Sequence, residues 1–134
     1  MPKTALIVED EIFVALDLER ILTDAGYLVR AIAPDSESAL AVGPTCDFAL
    51  VDVNLRDGPT GPAIARTLAV EHGVKVVFVT ANPAQIGDAE GALGYVRKPF
   101  CESAILAAAA LAGSDVPAAA NDGLPLIDRV VSPG

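Results

Sequence analysis

Four apolar segments of this chain run directly into side chains that can do chemistry. ALIV at 5–8 is followed by Glu9 and Asp10, FALV at 48–51 by Asp52, VVFV at 76–79 by Thr80, and GYVR at 94–97 by Lys98 in the run YVRKPF. Singly, an acid or a lysine at the end of an apolar run is an ordinary solvated group. In an open parallel sheet, however, the carboxyl ends of the strands meet at a crevice where the strand order reverses, so these residues would converge. Three carboxylates there, Glu9, Asp10 and Asp52, would repel one another by on the order of a few kcal/mol unless a cation intervened. Carboxylate and carbonyl oxygens with retained waters suit Mg²⁺, or Mn²⁺ in its place, so a divalent cation is the expected compensation. A carboxylate facing such a cation can attack phosphorus and become an acyl phosphate. The remaining work is electrostatic: a lysine holds the equatorial oxygens and a hydroxyl donates a hydrogen bond, roles open to Lys98 and Thr80.

The elements needed to position these groups are legible. The runs at 5–8, 48–51 and 74–79 are short and rich in β-branched residues, as central strands of a parallel sheet are. Residues 27–33 alternate more and suit an edge strand, and 94–97 form a short further strand. Between them the spacing predicts helices. Residues 12–25 place Val14, Leu18, Ile21, Leu22 and Ala25 on one face and stop at Gly26. Asp35 and Ser36 can cap a helix through Val42, and Gly61-Pro62 opens one carrying Ile64, Ala65, Leu68 and Ala69 that ends before Gly73. A last helix covers 102–112. Strand and helix alternate five times, which implies right-handed crossovers and an α/β doubly wound sheet with helices on both faces.

At 134 residues and 52% hydrophobic, with no tryptophan, the chain suits one folded domain. Its longest nearly apolar run, 104–112, is far too short to span a bilayer, and the N-terminus carries acids directly after its apolar residues, unlike a signal peptide. A cytoplasmic protein is therefore expected, with Cys46 and Cys101 as reduced thiols. Nine basic and eighteen acidic residues leave a formal charge of −9. That charge repels nucleic acid and anionic membranes, so neither is an expected partner; a protein or a metal is.

In this set of residues the chain resembles the receiver domains of bacterial two-component response regulators over residues 3 to 112. The resemblance implies a (βα)5 flavodoxin-like sheet of order 2-1-3-4-5. It makes Asp52 the phosphoacceptor and places Mg²⁺ on Asp10, Asp52 and the backbone carbonyl of Asn54, with Glu9 acting through water. Thr80 and Lys98 become the catalytic hydroxyl and lysine, and Thr80 with Tyr95 the switch pair, Tyr95 rotating inward as Thr80 is drawn to the phosphoryl group. Asn82, two residues beyond Thr80, would modulate hydrolysis. The family also makes a cis Lys98–Pro99 bond possible.

Two departures from the family pattern stand out. The loop after Asp52 has Arg56 where a proline is common, and its helix-opening Gly61 comes nine residues on, so the loop is one residue longer. NLRDGPTG resembles a subclass that includes the receiver of the alphaproteobacterial general stress regulator, which carries a sigma-like domain that this sequence does not show. The interval from Thr80 to Lys98 is also shorter than usual by roughly one helical turn. The sequence therefore predicts a short or distorted fourth helix, between the fourth and fifth strands, and a partner surface that leans on the last helix or on the tail.

The functional expectation is a single-domain response regulator, not an enzyme in the usual sense, that accepts a phosphoryl group from a phosphohistidine. The donor would be a sensor histidine kinase or a histidine phosphotransfer protein, and the consequence a switched protein-binding surface for a downstream partner. The alternative is an inactive receiver that binds proteins without phosphorylation. A haloacid dehalogenase-type phosphatase needs an acid where Asn54 stands. A flavodoxin needs a phosphate-binding loop where VEDE stands. Residues 113–134 read as a tail, its first half a linker and its second half carrying Leu124, Leu126, Ile127, Val130 and Val131, which could dock on the domain or form a homodimer. Asp57 reads as a turn residue with Gly58, Arg56 as solvated, and His72 as a helix-end residue.

Overall fold

The computed structural model describes residues 2–87 and 90–114. Strands β1 (Thr4–Val8), β2 (Leu28–Ala33), β3 (Phe48–Val51), β4 (Lys75–Thr80) and β5 (Ala92–Arg97) form one parallel sheet of order β2-β1-β3-β4-β5. This is the doubly wound arrangement expected, and its order reverses between β1 and β3. Because side chains alternate along a strand, each central strand feeds two cores. Ile7, Phe48, Leu50, Val77 and Val79 face one side of the sheet, under helices α1 (Ile12–Asp24) and α4 (Glu102–Ala112). Leu6, Val8, Ala49, Val51, Val76 and Phe78 face the other, under α2 (Ser36–Val42) and α3 (Gly61–Arg66). A strand wetted on one face would alternate; β3, FALV, is buried throughout.

Helix α1 buries Ala15, Leu18, Ile21 and Leu22. Full burial of each large residue contributes about 1.5–3 kcal/mol, and Leu22→Ala would cost about 2–5 kcal/mol once the cavity is included. The helix stops at Gly26, whose φ of 97° suits only glycine well. The Tyr27 amide then donates to the Leu22 carbonyl at 3.0 Å, closing the terminus. Tyr27 therefore belongs to the cap and not to the strand, and its ring meets Phe48 edge-on at 5.4 Å between centroids. Two positions on the expected face differ: Val14 is only half-buried and Ala25, already in the cap, is exposed, while Ala15 takes the core position.

The other connections follow the sequence with local changes. Asp35 caps α2 by accepting from the Ser38 amide at 3.0 Å. The third helix is shorter than expected as an α-helix: beyond Arg66 the chain widens into a π turn, Thr67–Glu71, with exposed His72 as its cap and Leu68 still buried. Strand β5 starts two residues earlier than expected, at Ala92. The fourth helix is reduced, among the described residues, to the single 3-10 turn Pro83–Ile86, so the final helix is α4 here. Ile86 alone anchors that turn in the core, at 5% exposure. Cys46 is a free thiol buried in the core, and Cys101 lies exposed at the start of α4. No helix among the described residues is long and apolar enough to cross a membrane. The tail reading, with its apolar residues from Leu124 to Val131, lies outside the described residues.

Candidate functional site

The parallel register delivers the strand-end residues to one crevice. Val8 pairs with Val51, so Glu9 and Asp52 emerge side by side, and the Asp52 amide donates to the Val8 carbonyl at 2.9 Å. Thr80 pairs with Arg97, and the Lys98 amide continues that ladder to the Thr80 carbonyl at 2.9 Å. The Lys98–Pro99 bond is cis. The Lys98 ammonium donates to Glu9 Oε1 at 2.7 Å and to Asp52 Oδ2 at 2.9 Å, bridging two strand ends.

Burial makes this bridge more than a surface ion pair. Glu9 is 2% and Asp52 7% exposed, whereas Asp10 stands in solvent at the rim. Burial pushes the Glu9 carboxyl up, opposed by the Lys98 hydrogen bond and by the Glu11 amide, which donates to Glu9 Oε2 at 3.1 Å. Burial also works against the Lys98 ammonium, but its bonds to Glu9 and Asp52 and their charges outweigh it and hold its pKa above the ordinary value.

One cation does not neutralise three acids. Oxygen atoms of Glu9, Asp10 and Asp52 all lie within 4.8 Å of one another. Asp10 and Asp52 border a cavity of about 280 Å³ that Asn54, Thr80 and Lys98 also line. An all-oxygen, carboxylate-rich donor set with an open, solvated side fits a hard divalent cation that keeps part of its water, and it does not fit a soft one. The cluster is poised to hold Mg²⁺ or Mn²⁺.

The remaining predicted residues divide between this cavity and its surroundings. Thr80 is fully buried, and its hydroxyl oxygen accepts from the Asn82 amide at 3.0 Å, leaving its hydrogen for donation. Tyr95 does not reach the cavity: at 5% exposure it packs in the α2–α3 core with Phe78, Leu55 and Ile86. Asn54 and Asn82 stand exposed at the mouth.

The loop between Asp52 and α3 holds what the sequence did not reveal. Its extra residue closes a small bridge, Leu55 and Gly58 exchanging amide bonds at 2.9 and 3.0 Å, with Gly58 at φ 114°. The bridge docks on the start of α2: the Arg56 amide donates to the Pro34 carbonyl at 3.1 Å, and Asp57 Oδ2 accepts from the Ser36 amide at 3.2 Å. Asp57 is therefore a clamp between two loops as well as a turn residue. Gly61 returns the chain so closely that an added Cβ would overlap the Asp52 carbonyl oxygen. Gln85 was also missed; its Oε1 accepts from Asn54 Nδ2 at 2.9 Å. So was the apolar outer face of α1, where Ile12, Phe13 and Leu16 are 55%, 84% and 46% exposed. The apolar excess of IFVAL was its only signal.

The chain belongs to the response regulator receiver domain family, whose pattern matches residues 5–110. Receivers are signalling domains, not classed as enzymes, and their partners are kinases or phosphotransfer proteins. Among curated relatives, the chain is 30% identical over 105 residues to the phyllosphere-induced regulator PhyR of Methylorubrum extorquens, covering 75% of this chain and 39% of that one. It is 30% identical over 119 residues to the chemotaxis protein CheY of Treponema pallidum, covering 78% of each. The chain thus spans well under half of the first relative. The solution structure of the Erythrobacter litoralis PhyR receiver domain superposes with a TM-score of 0.77 at 26% identity, over 87% of this chain and 95% of that one. The receiver domain of a Desulfovibrio desulfuricans diguanylate cyclase gives 0.76 at 27% identity, over 84% and 94%.

Proposed function

We propose that Asp52 accepts a phosphoryl group from a phosphohistidine on a kinase or phosphotransfer protein. A carboxylate oxygen of Asp52 forms the new P–O bond as the P–N bond breaks, and the departing imidazole takes a proton from solvent. Lys98 binds the transferred oxygens and Thr80 donates its hydroxyl hydrogen to one of them. Asp10, Asp52 and the Asn54 carbonyl, with Glu9 through water, would hold a divalent cation, which would supply charge neutralisation for the phosphoryl group. The observation that carries this reading is the Lys98 ammonium bridging buried Glu9 and Asp52 beside Asp10. A mass increase of one phosphoryl group with acetyl phosphate and Mg²⁺, absent in Asp52→Asn, is the expected result. No increase would leave a receiver that works as a phosphorylation-independent binding module.

The phosphodonor docks on α1. Phe13, Val14, Pro99 and Phe100 line an apolar groove of about 460 Å³ that shares Lys98 and Ala81 with the acidic cavity. A helix carrying the donor histidine and resting on Ile12, Phe13 and Leu16 would bring its imidazole to the cavity mouth. Tyr95, inward in this structure, forms the switch pair with Thr80, and the signal leaves through α4 or the tail that follows it, since the described residues of the fourth connection offer only a 3-10 turn. Residues 1–112 form the receiver unit in this reading, and 113–134 the tail.

A further inference from the structure

A chain of hydrogen bonds crosses the mouth of the acidic cavity from one strand end to the other. At the β4 end, the Asn82 amide donates to Thr80 Oγ1 at 3.0 Å, and the Asn82 carbonyl accepts from the Gln85 amide at 2.9 Å. The Gln85 side chain then reaches across, its Oε1 accepting from Asn54 Nδ2 at 2.9 Å, thirty-one residues away in sequence. Asn54 is two residues beyond Asp52, so the path joins the hydroxyl and the carboxylate from outside the sheet. Its middle is not adrift. The 3-10 turn that carries Gln85 is pinned by Ile86, buried in the same core as Leu55 of the opposite loop and Tyr95. With Ile86 directed inward, its neighbour Gln85 stands exposed at the surface.

We propose that Gln85 is a positioning residue that acts through Asn54. It holds the Asn54 carboxamide against the turn after Thr80, where it narrows the path of water to an acyl phosphate on Asp52, and so lengthens the life of the phosphorylated state. This rests on Asp52 being phosphorylated. An exposed amide–amide bond adds little to folding stability, so removing it should read out in the chemistry at the mouth and not in the fold. The backbone carbonyl of Asn54 is untouched by any change at Gln85.

The test is the decay rate of phosphorylated protein, prepared with acetyl phosphate and followed by intact mass after the donor is removed. Gln85→Ala should decay faster by about three- to tenfold, within the range of couplings between contacting residues. Gln85→Glu keeps an oxygen acceptor for Asn54 Nδ2 and should return most of the lifetime. In an Asn54→Ala background Gln85→Ala should change the rate by less than about 1.5-fold, because the residue through which it acts is gone. Without any phosphorylation, the Asn54 side-chain amide resonances should shift in Gln85→Ala and stay near their place in Gln85→Glu. Wild-type protein that phosphorylates normally while Gln85→Ala decays at the wild-type rate would overturn the role of Gln85 alone. So would equal acceleration with and without Asn54. Wild-type protein that never gains a phosphoryl group would overturn the phosphoacceptor reading and this inference with it.

Discussion

Asp57 accepts the Ser36 amide at 3.2 Å and the Thr60 hydroxyl at 2.7 Å, tying the loop after Asp52 to the first residue of α2. Ser36 and Thr60 hold the Asp57 carboxyl down to about 2, below the usual carboxylate range. A depressed acid stabilises the fold only while ionised: its contribution is complete above the ordinary aspartate pKa of about 3.9 and disappears as pH falls through about 2. Asp57→Asn should therefore be less stable than wild type at neutral pH and should lose less stability between pH 4 and pH 2. Urea midpoints measured across that range, with the carboxyl titration followed by NMR, check both parts.

Removing the ammonium at the centre of the site tests what it compensates. Lys98→Met strips the cation from buried Glu9 and Asp52, and loss of one charge-stabilising group from phosphoryl transfer should slow acetyl phosphate labelling by about 10²–10³-fold. The protein should also unfold at lower urea, because Glu9 is left buried without its partner. Adding Glu9→Gln should recover stability and leave labelling slow. Recovery of both would mean that Lys98 serves the fold alone.

Gly61 is the tightest approach in the loop after Asp52. In Gly61→Ala the new methyl meets the Asp52 backbone, and the overpacking should cost about 1–3 kcal/mol in denaturant titration. Because the displaced atoms belong to Asp52 itself, labelling should slow as well. Gly113→Ala, where the added Cβ would lie 3.0 Å from the Ala109 carbonyl oxygen and far from the cavity, is the control for a merely local strain.

Phe13 separates docking from chemistry. At 84% exposure it supports little of the fold, and Phe13→Ser should change stability by less than about 0.5 kcal/mol. Labelling by acetyl phosphate should be unaffected, while transfer from a phosphorylated kinase or phosphotransfer protein should weaken about tenfold or more, as loss of an aromatic anchor does. Equal rates from the protein donor would move the docking surface elsewhere.

How much of this was legible beforehand follows from where the information lies. A buried strand is a contiguous apolar run, and the polar residue that ends it is read directly, so Glu9, Asp10, Asp52, Thr80 and Lys98 could be placed in one crevice from the sequence. The shortened fourth connection was readable as a missing turn between Thr80 and Lys98. Alanine is ambiguous between core and surface, which is why the buried position of Ala15 and the exposed one of Ala25 were not read from the sequence. The bonds Asn54–Gln85 and Ser36–Asp57 join exposed polar residues 31 and 21 positions apart, and no local pattern announces them. The π turn after Arg66 likewise leaves Leu68 on the buried face, so apolar spacing alone looks like a continuous helix.

The ladder bond from the Lys98 amide to the Thr80 carbonyl has a consequence for how such a domain can change. The backbone positions of the two groups that would grip the phosphoryl oxygens are set by sheet register rather than by the outer part of the connection between them. Surface connections are therefore free to diverge, and with them the choice of partner, while the reacting atoms keep their alignment. Grafting a foreign segment after Ile86, with the Asn82–Gln85 turn kept, would be a route to rewiring this receiver without rebuilding its chemistry.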